Sequence, residues 1–121
     1  MPMSTWLQAL FAAIDSKSTT QFAEFLAPEC RFRFGNMPAV VGALEVAEFV
    51  EQFFNSIAGL SHVIDEFWQV EDGLVCHGRV TYTRHDQTTL TVPFCNVFKL
   101  DAHKVQDYLI FADTSALYAA G

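Results

Sequence analysis

Basic residues are scarce in this chain of 121 residues. Seven lysines and arginines stand against 14 aspartates and glutamates, which gives a net charge of −7. A nucleic-acid-binding surface needs a basic face that displaces counterions from phosphates, and a membrane-surface patch needs clustered lysines and arginines. Apolar runs are also short, and none approaches the roughly 20 residues that span a bilayer. We therefore expect neither a nucleic acid nor a membrane as a partner.

Cysteine is equally sparse, with only Cys30, Cys76 and Cys95, far apart in the sequence. An odd number at wide spacing is not a disulfide framework, and neither the cysteines nor the four histidines form pairs at zinc-ligand spacing. We expect no metal and no cofactor. The first residues lack the basic and long apolar regions of a signal peptide, so a reducing cytoplasmic location is the expectation.

Hydrophobic residues make up 51% of the chain, and 12 phenylalanines stand out among them. Such a composition predicts one domain with a sizeable core over residues 1–121. Apolar residues recur at helical spacing in three segments of the first half, near 4–15, 18–27 and 43–57. Ser18 and Gln21 have the spacing of a helix-capping box, and Pro28 is expected to end the second helix. Residues 30–34 alternate and predict a short strand.

The second half of the chain changes to a period of two. Four segments, near 61–70, 74–84, 88–100 and 104–112, alternate in polarity and are joined by short turns, which predicts an antiparallel meander. Helices followed by a meander predict an α+β fold in which three N-terminal helices pack on one face of a curved sheet.

One row of the strand 88–100 is apolar except for Asn96. A short turn at 85–87 sets Cys76 opposite Asn96 and Val80 opposite Val92, so two apolar rows meet on one face. A buried amide without a partner costs roughly 1–3 kcal/mol, so something must satisfy it. Local backbone, a buried water and Tyr82 are one group of candidates, and a ligand in a cavity is the other.

Strand 61–70 carries His62 and Trp68 on one face, where both can line the same hollow as Asn96. His62 can equally pack or meet solvent at the start of its strand. By the same alternation His77 and Arg79 fall on the opposite, threonine-rich face, although a register slip of one residue would turn them inward.

Several segments resemble the NTF2-like superfamily, and most closely its SnoaL-like subgroup, which is usually labelled nuclear transport factor 2 family protein. The similar segments cover nearly the whole chain: Ala23–Phe32, Val41-Gly42 with Val46 and Phe49, Phe34–Asn36, Pro93–Phe98, Lys104–Asp113 and Asp113–Leu117. The resemblance implies a cone-shaped α+β fold around an apolar cavity, and homodimerisation through the sheet. It places Ile110 where the cyclases and epoxide hydrolases of this superfamily carry a catalytic aspartate.

The resemblance implies a small-molecule isomerase, cyclase or dehydratase that acts on a hydrophobic, carbonyl-bearing substrate. In this hypothesis His62 moves a proton, and Tyr108 and Asn96 polarise the carbonyl. The residues expected to contact the ligand are Trp6, Phe11, Trp68, Cys76, Val92, Phe94 and Ile110. Because Ile110 replaces the aspartate, two other hypotheses stay open: a non-catalytic binder of an apolar ligand, and a dimeric protein-interaction module.

Overall fold

One six-stranded sheet and three helices make up the fold in the computed structural model, which describes residues 3–118. The elements in chain order are α1 (Met3–Asp15), α2 (Thr19–Ala23), β1 (Leu26–Phe34), β2 (Val40–Val41), α3 (Ala43–Asn55), β3 (Gly59–Val70), β4 (Gly73–Thr83), β5 (Thr89–Asp101) and β6 (Lys104–Phe111). The sheet order is β2-β1-β6-β5-β4-β3, and only β1 and β6 pair in parallel. The predicted α+β architecture with a four-stranded meander is confirmed. No helix in residues 3–118 combines the length and apolarity that crossing a membrane requires.

Helix α2 begins as predicted but ends earlier. The Ser18 side chain accepts a hydrogen bond from the backbone N–H of Gln21 at 3.2 Å and so caps the helix. The helix ends at Ala23, and Pro28 lies inside β1. The expectation that Pro28 ends the helix was therefore wrong. Pairing between β1 and β6 is interrupted between Leu26 and Arg31, so a proline there removes no ladder hydrogen bond.

The pairing of β4 with β5 follows the predicted register. Cys76 pairs with Asn96 and Val80 with Val92. The inward rows of the two strands are buried against the helices; their buried members are Leu74, Cys76, Val80, Tyr82, Phe94, Asn96 and Phe98. These rows form the floor of the core.

A β-bulge interrupts β3 at Asp65. Ile64 pairs with Gly78, but Glu66 pairs with His77, so Asp65 has no partner of its own across the ladder. An extra residue inverts the alternation of inward and outward side chains beyond it. His62, before the bulge, faces the helices; Trp68, after it, does not.

Trp68 accordingly lies on the outer face of the sheet. Its side chain is 48% exposed and stacks on His77 with a centroid distance of 5.5 Å. The expectation that Trp68 lines the hollow was wrong, and the inserted Asp65 is the reason. His77 and Arg79 lie on the outer face, as the alternation predicted; Arg79 pairs with the Asp65 carboxylate at 3.3 Å.

The bulge depends on a glycine in the neighbouring strand. A Cβ atom on Gly78 would lie 1.8 Å from the carbonyl oxygen of Val63. Only a residue without a side chain permits this close approach of the β3 backbone. Gly78 therefore allows the bulge and, through it, the different orientations of His62 and Trp68.

Candidate functional site

A small cavity lies between the inward face of the sheet and helices α1 and α3. Its volume is about 40 Å³, and its walls are mostly aromatic. Phe49 and Phe53 of α3 are half-buried and face β1 across it. The ring centroid of Phe49 lies 5.6 Å from that of Phe32, and the ring centroid of Phe53 lies 5.0 Å from that of Phe34. This volume holds a few water molecules, whereas pockets for drug-sized ligands measure roughly 300–1,000 Å³. A larger ligand can enter only if aromatic side chains move.

Four polar side chains reach this aromatic wall: His62 from β3, Tyr82 from β4, Asn96 from β5 and Tyr108 from β6. The sequence analysis placed Asn96 in the inward row, left an inward His62 as one of two alternatives and took Tyr108 from the family resemblance; the structure brings these three to one cavity. His62 pairs with Val80 and Asn96 with Cys76, four residues apart on β4, so the two lie roughly 13 Å apart along the strands. A ligand that touches both has to be elongated.

Asp15, the last residue of α1, holds His62 through two hydrogen bonds. One carboxylate oxygen lies 2.5 Å from His62 Nδ1, and the other accepts the backbone N–H of His62 at 3.0 Å. The side chain of His62 is 10% exposed and that of Asp15 is 28% exposed. A carboxylate on Nδ1 fixes the tautomer in which Nδ1 carries the proton, so Nε2 keeps its lone pair and can accept a proton.

Two aromatic rings fix the plane of the imidazole. The Phe11 ring lies 4.6 Å from the His62 ring, and the Phe94 ring meets it edge-on at 5.2 Å. A histidine that is hydrogen-bonded at one nitrogen and packed against two rings loses little orientation freedom when it reacts. The Asp15–His62 pair therefore has the geometry of an oriented general base.

Asn96 and Tyr108 form the second polar group of the cavity. Asn96 is 1% exposed, and its Nδ2 donates a long hydrogen bond of 3.5 Å to the Tyr108 hydroxyl. Within residues 3–118 its Oδ1 is buried and finds no hydrogen-bond partner. The prediction that the amide is buried in the apolar row is confirmed, and Tyr108 supplies only part of what it needs.

Burial keeps the neighbouring acids of the core protonated. It raises the pKa of Tyr108 well above its ordinary value, and it also raises the pKa of Tyr82. The Cys76 thiol is likewise desolvated, which raises its pKa to about 12. Both phenols therefore stay hydrogen-bond donors at neutral pH, and Cys76 is not a nucleophile there.

The structure separates five other predicted ligand contacts into three groups. Phe94 and Ile110 line the cavity. Phe11 and Cys76 are buried behind it, the first against the rings of His62 and Phe94. Val92 is half-buried beside Val80, outside the wall of the cavity.

Trp6, which was expected to contact the ligand, does not line the cavity. It packs against Phe25 and Phe98, and its indole N–H donates to the backbone carbonyl of His103 at 3.2 Å. Ile14 is the residue of α1 that lines the cavity, and Trp6 lies eight residues earlier, about 12 Å along the helix. The expected contact of Trp6 with the ligand was wrong because the C-terminal end of α1, and not its N-terminal end, lies at the cavity.

Asp15 is the functional residue that the sequence analysis missed. One signal was available: an acidic side chain in the last turn of a helix opposes the helix dipole, so it is unfavourable there unless another contact compensates. Its partner, however, is 47 residues away, and only the packing of α1 on β3 brings the two together. In the described part of the chain no three histidine, cysteine or acidic side chains are grouped as a metal site would require.

Comparison with known proteins identifies the fold. Residues 7–108 match the family model of the SnoaL-like domain. Among curated proteins no sequence match was found. TerC, co-crystallised with polyporic acid, superposes with a TM-score of 0.81 at 18% identity, over 98% of this chain and 96% of that chain.

Two other solved structures are similar to this chain. An NTF2-like protein of unknown function from Burkholderia pseudomallei has a TM-score of 0.83 at 18% identity, over 94% of this chain and 92% of that chain. A protein with a ketosteroid isomerase-like fold from Catenulispora acidiphila, in complex with trimethylamine, has a TM-score of 0.80 at 10% identity, over 88% and 83%. At these identities the likeness shows the fold, which is the NTF2-like cone.

Proposed function

The chain belongs to the SnoaL-like domain family, and we propose that it is a small-molecule enzyme in which His62 moves a proton on a hydrophobic, carbonyl-bearing substrate. The observation that carries this proposal is the Asp15–His62 pair at the wall of an aromatic cavity. In this proposal His62 on β3 is the base, in place of the aspartate that this chain lacks at position 110 on β6, where it has Ile110.

The proposed step is removal of a proton from a carbon next to the carbonyl. The lone pair of His62 Nε2 takes the proton, and the electron pair of the C–H bond moves into the adjacent carbonyl to give an enolate. Asp15 stabilises the imidazolium that results and does not itself take the proton. For a β,γ-unsaturated ketone the enolate is conjugated, and return of the proton to the γ-carbon completes an isomerisation. For a β-hydroxyketone, departure of the β-hydroxyl as water, after protonation, completes a dehydration.

The aromatic wall suits a hydrophobic substrate but has to open for it. Phe49 and Phe53 lie on the helix that covers the cavity and are only half-buried, so rotation of their side chains enlarges the 40 Å³ space at small cost. The small molecules bound by TerC and by the Catenulispora protein support a ligand within this fold.

Deuterium exchange tests the proposed base without knowledge of the natural substrate. The protein is incubated in D₂O with 2-tetralone, 1-indanone and 2-acetylnaphthalene, and incorporation at the α-carbon is followed by mass spectrometry. We expect His62→Ala to lower the exchange rate roughly 10²-fold or more, which is the usual contribution of a general base. Asp15→Asn is expected to lower it as well, because an amide can hold the wrong tautomer.

His85→Ala is the matched control, because this histidine bonds to the Asn55 carbonyl on the surface at 2.9 Å. Its exchange rate should equal that of the wild type. Exchange that persists in His62→Ala, or a wild type that exchanges no ketone faster than buffer, contradicts the proposed base.

A second candidate function is passive binding of an apolar ligand. The observation that favours passive binding is the composition of the cavity wall. Among the described residues no carboxylate lines it. Native mass spectrometry of freshly purified protein separates the two. A copurified apolar compound that remains chemically unchanged after long incubation supports binding, and its conversion supports catalysis.

We also propose that the chain forms a homodimer through the outer face of the sheet. Trp68 and Val63 are about half exposed there, and the hydroxyls of Thr81 and Thr91 bond to each other at 2.8 Å across β4 and β5. Such a face, with exposed apolar side chains and hydroxyls, suits a two-fold contact. A reducing, cytoplasmic location accords with the free state of the three cysteines.

Light scattering tests the dimer. We expect a mass near twice 13.6 kDa for the wild type and near 13.6 kDa for Trp68→Glu. Leu44→Glu, at an 85% exposed position on α3, is the control and should leave the mass unchanged. A monomeric wild type at micromolar concentration refutes the dimer.

A further inference from the structure

The amide of Asn96 leaves one polar atom unpaired in whichever direction it points. As described, Nδ2 donates to the Tyr108 hydroxyl and Oδ1 has no partner in residues 3–118. If the amide is rotated by 180°, Oδ1 accepts from Tyr108 and Nδ2 is unpaired instead. The position is 1% exposed, so solvent at the protein surface does not satisfy the free atom.

An unpaired buried polar atom is destabilising by roughly 1–3 kcal/mol. The rest of the inward row of β5 is apolar, with Phe94 and Phe98 on either side. An aliphatic residue at position 96 would continue that row without this cost. Asn96 is one of the residues that line the cavity, which makes a bound group the natural source of the missing hydrogen bond.

Tyr108 decides which kind of group fits. Its hydroxyl accepts from Asn96, so its own O–H is left to donate, and burial keeps that proton in place at neutral pH. With that hydrogen bond made, the pair still offers two donors, the Tyr108 O–H and the second Nδ2 hydrogen, and one acceptor without a partner, Asn96 Oδ1. In the rotated amide both Nδ2 hydrogens are free to donate, and the Tyr108 oxygen keeps a lone pair that can accept.

A hydroxyl group donates and accepts, so it can give a hydrogen to Asn96 Oδ1 and accept one from the Tyr108 O–H at the same time. In the orientation that the structure has, a carbonyl or ether oxygen would leave Oδ1 without a donor, and an ammonium group would leave the Tyr108 O–H without an acceptor. We propose that Asn96 and Tyr108 form a subsite for a hydroxyl group of the ligand, at the opposite end of the cavity from His62. The sequence analysis expected both residues to donate to a carbonyl, whereas the unpaired Oδ1 requires a donor from the ligand.

The inference rests on the proposed function for the rest of the ligand. With a carbonyl near His62 and a hydroxyl at Asn96, the substrate class becomes elongated, hydrophobic hydroxyketones. The two backbones are roughly 13 Å apart along the strands and two strand spacings, roughly 10 Å, apart across the sheet. Both side chains shorten this distance, and it leaves room for an aromatic ring between the two groups.

Binding of three matched compounds tests the subsite without any turnover. 5-Indanol, 5-methoxyindane and indane share one ring system. The hydroxyl of 5-indanol can donate and accept a hydrogen bond, the ether oxygen of 5-methoxyindane can only accept one, and indane can do neither. Dissociation constants are measured by NMR titration of the whole protein. We expect 5-indanol to bind the wild type about tenfold more tightly than 5-methoxyindane, because two hydrogen bonds form instead of one.

Asn96→Leu and Tyr108→Phe should each bring the ratio of the two dissociation constants close to one while indane still binds. Asn55→Leu, an exposed asparagine at the end of α3, should leave the ratio unchanged. Tyr108→Phe keeps the ring and its packing, so it provides the test if Asn96→Leu does not fold.

Three results overturn the subsite: equal affinities in the wild type, a preference that survives in both variants, or no binding of 5-indanol at millimolar concentration. The last is expected if the pair holds only a structural water. A failure of His62 as the base is detected separately, by the absence of deuterium exchange in the ketone assay. That result leaves the preference for 5-indanol over 5-methoxyindane unchanged.

Discussion

Replacement of Gly78 by alanine tests whether the bulge in β3 sets the orientation of the site. The added Cβ would lie 1.8 Å from the Val63 carbonyl oxygen, 2.9 Å from its carbon and 3.0 Å from Ile64 Cα. Normal contacts begin near 3 Å, so the β3 backbone has to retreat by more than about 1 Å. The obstacle is backbone, which cannot rotate away as a side chain can.

We expect the free energy of unfolding to fall by about 3 kcal/mol or more. Overpacking against side chains costs roughly 1–3 kcal/mol, and a backbone obstacle puts this change at or above the upper end. Domains are stable by only about 5–15 kcal/mol, so the loss is a large part of the total. Gly59→Ala is the matched control in a strand, because no atom lies within 4 Å of its added Cβ. That variant should stay within about 0.5 kcal/mol of the wild type or gain slightly.

Urea unfolding followed by tryptophan fluorescence measures both variants, since Trp6 is 3% exposed and becomes solvated on unfolding. A lower midpoint with an unchanged slope is the expected result for Gly78→Ala. If its midpoint equals that of Gly59→Ala, the close approach of Val63 to Gly78 does not exist. The different orientations of His62 and Trp68 would then need another explanation.

Two further predictions concern the buried polar groups. The double substitution Asn96→Leu with Tyr108→Phe should raise the free energy of unfolding by about 1–3 kcal/mol in urea unfolding, since it removes the unpaired amide atom together with its partner; a less stable variant would show that the amide is satisfied. Stability should fall above pH 9, because an unfolded thiol ionises near 9.0 while burial holds the pKa of Cys76 at about 12, so that the folded state binds more protons in this window. The free energy of unfolding decreases by at most about 1.4 kcal/mol per pH unit for each such group. Between pH 9 and 10 the melting temperature of Cys76→Ala should therefore fall less steeply with pH than that of the wild type. An equally steep fall in both proteins would contradict the assignment.

Where alternation was regular and turns were short, the sequence predicted the fold in detail. The pairs Cys76–Asn96 and Val80–Val92 follow from one turn length and two apolar rows, and the structure has both. The alternation of His62 with Ile64 left its inward position as one of two alternatives, and the structure has it. These features depend on neighbours in sequence or on adjacent strands, so a local pattern contains them.

The features that the sequence did not predict depend on a single inserted residue or on distant packing. Val63 and Phe67 make both faces of β3 partly apolar, so the alternation gave no sign that Asp65 reverses it. Gly78 inside a strand was the available signal, because a strand glycine often marks a close backbone approach. The Asp15–His62 contact and the small volume of the cavity arise only when α1 and the rings of α3 pack on the sheet.

Three residues of this site contradict the local rules of the elements that contain them. Asp15 opposes the dipole of α1, Asn96 interrupts an apolar row and Gly78 weakens a strand. A sequence shaped by stability alone would favour a basic residue, a leucine and a valine at these positions. Such conflicts are expected where function sets the residue, and here all three act on one cavity: Asp15 orients His62, Gly78 permits the bulge after it, and Asn96 presents an unpaired atom. Asn96 lines the aromatic wall, Asp15 bonds to His62, which also lines it, and Gly78 lies opposite Ile64, two residues after His62 on β3; independent accidents of packing would give no reason for the three to gather around one cavity.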